Sequence, residues 1–171
     1  MNRRTAIIAG ASGLVAAAAI TSVAQAADST GPELEKVKAL LKAHDDAMTN
    51  HDLEGVLKCL TEKAAIMGTG PGEMWSGPEE ITDAYKHFFE GYDKGQQEFE
   101  YHFKVGDLGT EMGWLMASGN VKCKKGGKGS TFPLNLSLTV AKSGGDWKIA
   151  SMHFSTLTGP DKATKATKAA K

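Results

Sequence analysis

The side chains best able to do chemistry are a few histidines and acids, and His44 leads them. His44-Asp45-Asp46 and His51-Asp52 crowd imidazoles and carboxylates into one short stretch. An imidazole titrates near neutrality, so a histidine on an apolar helix face can act as a general base or as a donor that orients a ligand. The same placement also suits a core histidine bonded to a backbone carbonyl, and the sequence leaves both readings open. No metal is expected. His44 and His51 are seven residues apart on one helix face, whereas helical metal ligands pair at three- or four-residue spacing. Asp52 is also placed to cap a helix, so the cluster reads as solvated charge. Cys59 and Cys123 are the only cysteines, with neither a Cys-x-x-Cys nor paired-histidine spacing. The run Gly68-x-Gly70-x-Gly72 is interrupted by Pro71 and opens no helix, which excludes a dinucleotide loop. No Gly-x-Ser-x-Gly elbow occurs, and no cofactor is expected.

The elements that must position these groups follow from periodicity. Leu34, Val37, Leu41, His44 and Met48 recur at three- and four-residue steps, predicting a helix from Glu33 to about Asn50. Asp52 predicts the N-cap of a short second helix carrying Val56, Leu57 and Leu60. Short strands are expected over Ala64 to Met67 and around Met74-Trp75. Gly77-Pro78-Glu79-Glu80 then opens a third helix, its acids suited to the positive end. Its apolar face carries Ile81, Ala84, Tyr85, Phe88 and Tyr92. Phe99, Tyr101, Phe103 and Val105 alternate with Glu98, Glu100, His102 and Lys104, a strand with one wet face. Three more long strands are expected over Met112 to Lys124, Thr131 to Lys142 and Trp147 to Thr156, joined by hairpin turns. Helices on one face of a curved antiparallel sheet make this an α+β domain.

The two ends read differently from the middle. Asn2-Arg3-Arg4, an apolar run from Ala6 to Ile20 and the small residues of Ala24-Gln25-Ala26 have the order of a cleavable signal peptide, residues 1–26. The expected location is the periplasm or the medium, after cleavage at Ala26, by the general or the twin-arginine route. Arg3 and Arg4 are the only arginines among 20 basic residues, so the mature chain sets 18 lysines against 20 acids, a formal net charge of −2. Arginine is the usual bidentate reader of phosphate, and nucleic acid is not an expected partner. No second apolar stretch could span a membrane. Residues 158–171, rich in Lys, Ala and Thr, read as a disordered tail. Between the ends lies one domain, residues 27–157.

The order of elements and several local phrases resemble the SnoaL-like, nuclear-transport-factor-2-like superfamily. The matching pieces are Asn50-His51-Asp52-Leu53-Glu54, Trp75-Ser76-Gly77, Gly113-Trp114 and the last strand from Trp147 to Ser155. The resemblance implies a cone of sheet closed by three N-terminal helices, a site in the cone's mouth and a homodimer through the sheet's outer face. The superfamily's steroid isomerases need a base and two oxyanion donors. At the corresponding positions this chain has His44 for a tyrosine, Gly68 near the aspartate base and Leu136 near the second donor. That chemistry is therefore not expected.

The same correspondence places Trp114, Met116, Ser118 and Asn120 inward, facing Leu136, Leu138, Met152 and Phe154, with Tyr85 and Phe88 closing one side. These are the expected ligand-binding residues of a mostly apolar cavity, and a filled core is the competing reading. The outer face would carry Leu115, Val121, Ile149 and His153, with Ala117, Gly119, Ser137, Ser151 and Ser155 between them. The function expected is binding of a small apolar or amphipathic molecule. The alternatives are a lyase, isomerase or hydrolase using His44 as its catalytic residue, and a dimerisation module with a filled core.

Overall fold

In the computed structural model the described residues are 30–156. The expected signal peptide and tail lie outside them. Helix α1 (Thr30–Thr49) precedes α2 (Leu53–Lys58), strands β1 (Leu60–Met67) and β2 (Met74–Ser76), and α3 (Gly77–Phe89). The long strands β3 (Gln97–Leu108), β4 (Met112–Lys125), β5 (Lys128–Ser143) and β6 (Asp146–Ser155) follow. Asp52 caps α2 as its position predicts, its carboxylate accepting the Gly55 N–H at 2.9 Å. At the start of α3 the Glu80 carboxylate accepts the Ser76 N–H at 2.7 Å. The β4–β5 and β5–β6 hairpins turn through Gly126-Gly127 and Gly144-Gly145, all at positive φ, which two-residue hairpin loops require.

The six strands form one sheet in the order β2-β1-β6-β5-β4-β3. Every neighbouring pair is antiparallel, as expected, except β1 with β6, which run parallel with Ile66 beside Met152 and Met67 beside His153. The sheet as a whole is therefore mixed. Its concave side packs on the helices around Val56, Ile81, Val140 and Ile149, each at most 2 % exposed. Burying those branched side chains supplies the main drive to fold. Glu33 ties α1 to β6 by accepting from the Trp147 indole N–H at 2.7 Å.

Strand β3 departs from simple alternation. Tyr101 pairs with Gly119, but Phe103 pairs with Ser118, so His102 is an extra residue in the β3 ladder. Such a bulge reverses the facing of everything beyond it. Phe99 and Tyr101 face the cone as the pattern predicts. Phe103 and Val105, expected beside them, are 75 % and 59 % exposed on the other face. Lys104, expected on the wet face, stands opposite Ala117 and lines the cone.

Candidate functional site

Between α1 and the concave sheet lies a cavity of about 1000 Å³. Leu34, Val37 and Leu41 of α1 form one wall. Leu115, Ala117, Leu136, Leu138, Val140, Met152 and Phe154 form the sheet side, and Phe99, Tyr101 and Leu108 the third. The wall is continuous because Leu115 pairs with Leu138, Ala117 with Leu136, Leu138 with Met152 and Leu136 with Phe154. Side chains that pair directly across a ladder share a face.

The polar side chains that border this space are His44, Thr49 and the charged Lys38, Lys42, Asp45, Asp46, Lys104 and Asp107. His44 is buried, and its Nε2 lies 2.8 Å from the Tyr85 hydroxyl, which sits behind it on α3. Burial, foremost, pushes the Tyr85 phenol well above its ordinary range, so it stays protonated. His44 is its hydrogen-bond partner, and a buried O–H that donates to nothing is costly. The Tyr85 O–H therefore donates to Nε2, and in neutral His44 the proton sits on Nδ1. That nitrogen is 3.6 Å from the Asp45 carboxylate. Tyr101, stacked on Phe99 at 6.0 Å, is likewise held protonated by burial. Charges gather at the mouth. Lys42 pairs with Asp46 at 2.5 Å and Lys38 with Glu35 at 2.7 Å. Lys104 stands over the Tyr101 ring, its Nζ 4.9 Å from the centroid.

This arrangement sorts the residues the sequence nominated. His44, Leu136, Leu138, Met152 and Phe154 line the cavity. Tyr85 takes part through His44. Phe88 does not: it is 43 % exposed on α3 and packs edge-on against Tyr92. The inward placement of Met116, Ser118 and Asn120 is corrected too. Met116 pairs with Ser137 and Ser118 with Asn135, on the face opposite Leu136 and Leu138. The two sets of positions are one residue out of phase, and a one-residue slip turns every side chain over. Asn120 instead bonds His102 at 2.9 Å on the surface. Trp114 shares the outward phase but borders both the cavity and a hollow on the outer face.

The outer face is corrected by the same step. Leu115, Ala117, Gly119, Val121 and Ile149 face inward, while His153, Ser137, Ser151 and Ser155 keep their outward places. Sequence reasoning missed Leu115, Ala117, Tyr101 and Lys104 as cavity residues. For the first two the signal was present, since they share the every-second-residue phase of Gly113, Gly119 and Val121, the small and branched residues on β4. Lys104 depends on the bulge. Cys59 and Cys123 are both free. Among the described residues no group of His, Cys, Asp and Glu is arranged to hold a metal ion.

A family model described as a SnoaL-like domain matches residues 37–159. No curated protein matches the chain. Among solved structures, a ketosteroid isomerase-like protein from Erwinia carotovora atroseptica is 22% identical, with a TM-score of 0.59 over 75% of this chain and 98% of that one. An NTF2-like protein of unknown function from Pseudomonas putida is 16% identical, with a TM-score of 0.64 over 78% and 92%. A function-unknown protein from Mycobacterium tuberculosis is 14% identical, with a TM-score of 0.66 over 84% and 86%. At such identities these likenesses establish the nuclear-transport-factor-2-like fold and no activity.

Proposed function

The chain belongs to the SnoaL-like domain family, and on that premise we propose that it is an exported protein that binds a small apolar or amphipathic molecule in its cone. The observation that carries this is the cavity of about 1000 Å³, its wall mostly aliphatic and aromatic with His44 and a set of charged side chains along it. Small-molecule sites have that make-up, with a few polar groups fixing orientation. Export rests on the order of Asn2-Arg3-Arg4, the apolar run and Ala24-Gln25-Ala26.

Binding is favoured over catalysis by the hydrogen bond at His44. A general base needs a free lone pair aimed at the substrate. With Nε2 accepting from Tyr85 at 2.8 Å and Nδ1 beside the Asp45 carboxylate at 3.6 Å, neutral His44 has no lone pair free for a substrate. The reading also includes a homodimer, because the outer face carries exposed Met67, Met74, Val105, Met116 and Trp114.

N-phenyl-1-naphthylamine, a neutral apolar dye, tests the cavity. It should brighten on binding and raise the melting temperature. At a hundred times its dissociation constant the stabilisation is about 2.7 kcal/mol. A protein that neither brightens the dye nor melts higher in its presence would not be a binder of this kind.

A further inference from the structure

The strongest feature that the binding reading leaves unused is Lys104. Its place in the cone is built by two neighbours. Gly119 lies under the bulge of β3, where a Cβ would overlap the Glu100 carbonyl oxygen and stand 2.8 Å from the Tyr101 Cα. Only a glycine lets β3 approach that closely, and the bulge it permits places His102 as the extra residue. With His102 paired in regular register instead of bulged, Lys104 would point away from the cavity and Phe103 and Val105 into it. The chain thus gives up two apolar wall residues and gains a cation.

That cation has no carboxylate partner among the described residues. Lys38 and Lys42, the other lysines of the cavity, are paired with Glu35 and Asp46. Of the remaining acids at the mouth, Asp107 accepts its neighbour Leu108 N–H at 2.9 Å, and Asp45 lies beside His44. Lys104 instead sets its Nζ over the face of Tyr101, 4.9 Å from the ring centroid, on a side chain that stays exposed.

We propose that Lys104 selects an anionic amphiphile: a ligand with one carboxylate at the mouth and an apolar body along Leu115, Ala117, Leu136 and Leu138. This deepens the reading of the cone as a ligand cavity and rests on it. An ammonium without a fixed partner at the rim of an apolar site gains an ion pair when such a ligand enters, whereas an uncharged ligand gains none. Because Lys104 is exposed, the ion pair is screened, and its worth is that of a surface pair rather than a buried one.

The test is displacement of N-phenyl-1-naphthylamine from the purified full chain by three probes of equal chain length, at monomeric concentrations. Dodecanoate should compete about two- to five-fold better than dodecanol at low salt. Dodecyltrimethylammonium should compete no better than dodecanol. Raising the salt should narrow the dodecanoate advantage. In Lys104→Met the advantage should vanish while dodecanol competes as before, and Lys104→Glu should move the preference to dodecyltrimethylammonium. Equal competition by dodecanoate and dodecanol in the native protein overturns the role of Lys104 but leaves the cavity reading intact. An advantage that survives in Lys104→Met overturns it as well. Failure of the dye to bind at all removes both readings together.

Discussion

Gly119 on β4 and Glu100 on β3 meet backbone to backbone, and this contact fixes which side chains of β3 enter the cone. A Cβ at position 119 would overlap the Glu100 carbonyl oxygen, and no rotamer can relieve a clash with main chain. Gly119→Ala should therefore cost about 1–3 kcal/mol, the usual price of overpacking. Urea unfolding measures it. A variant as stable as the parent would mean that the bulge is soft and Lys104 is not held.

His44 and Tyr85 form a buried polar pair within an apolar cluster. Tyr85→Phe keeps the ring but leaves His44 Nε2 without its donor. The loss expected is about 1–3 kcal/mol, the cost of an unsatisfied buried acceptor. The double variant His44→Phe, Tyr85→Phe should recover part of that loss, because neither member then needs a partner. Equal stability of the native protein and Tyr85→Phe would show that water replaces the hydroxyl and that Nε2 is within reach of solvent.

Much of the fold was legible because its signals are local. Asp52 capping α2 and the Gly-Gly hairpins depend on a few neighbouring residues. The spacing of Val37, His44 and Met48 likewise predicts the buried face of α1. The site was less legible because it depends on strand phase. A single inserted residue at His102 reverses Lys104 and Val105, and nothing within β3 alone marks it. The cause lies on the neighbouring strand, in the absence of a side chain at Gly119. Met116 and Ser118 were misplaced for a related reason: methionine and serine suit either face of a half-buried sheet. The parallel pairing of β1 with β6 joins segments far apart in the chain, beyond the reach of any local pattern.

His51 gives the fold a pH dependence with a defined sign. Its ring stacks on Phe89 at 4.8 Å and meets Tyr92 edge-on at 4.7 Å, leaving Nε2 buried without a hydrogen-bond partner. Burial, with the Lys94 charge adding to it, lowers its pKa below the ordinary 6.5. The unfolded chain then binds a proton more readily than the folded one. Stability is complete above about pH 6.5 and falls as the pH drops from there toward the lowered folded value. Denaturation midpoints of the native protein and His51→Asn across pH 5 to 8 check this, asparagine being chosen because it tolerates the positive φ of 53° at this position. The native midpoint should decline on the acid side more steeply than that of the variant; parallel curves would remove His51 as the cause.

Glu33 supplies a second acid-side dependence at lower pH. Its carboxylate accepts from Lys36 and from the Trp147 indole, and these bonds hold its pKa down at about 2. A depressed carboxylate stabilises the fold above its unfolded pKa near 4.5 and loses that contribution as the pH falls toward 2. Trp147 emission should shift over the same interval, and Glu33→Leu should abolish the shift. A Trp147 signal that stays flat below pH 4.5 in the native protein would mean that the tether between α1 and β6 does not depend on charge.

Ala117 offers the most direct steric test of the cavity. It is 6 % exposed, pairs with Leu136 on one side and Lys104 on the other, and its methyl faces the open space. Ala117→Leu adds bulk toward that space rather than into packed neighbours, so the fold should lose less than about 1–3 kcal/mol, the range for overpacking a filled core. Affinity for N-phenyl-1-naphthylamine should drop at least tenfold, which corresponds to about 1.4 kcal/mol. The matching change on the other face, Ser118→Leu, should leave dye binding unchanged, because Ser118 pairs with Asn135 on the outer side. The reverse outcome, with Ser118→Leu blocking the dye and Ala117→Leu harmless, would put the ligand on the outer face.

The outer face carries the last prediction. One row of ladder partners crosses nearly the whole sheet there: Met74, Met67, His153, Ser137, Met116 and Val105. Met74, Met116 and Val105 are 62 %, 54 % and 59 % exposed, and Phe103 beside them is 75 % exposed. Exposed apolar surface of this kind, on both sides of the central His153 and Ser137, is unfavourable in water and is readily covered by a two-fold mate. The expected outcome is a dimer by light scattering at micromolar concentration. Met116→Lys should dissociate it, since a two-fold interface brings the new charge close to its own copy and leaves it desolvated. Dye binding should persist in the monomeric variant, because Met116 and the cavity lie on opposite faces of the sheet. A native protein that remains monomeric throughout would refute the dimer while leaving the cavity untouched.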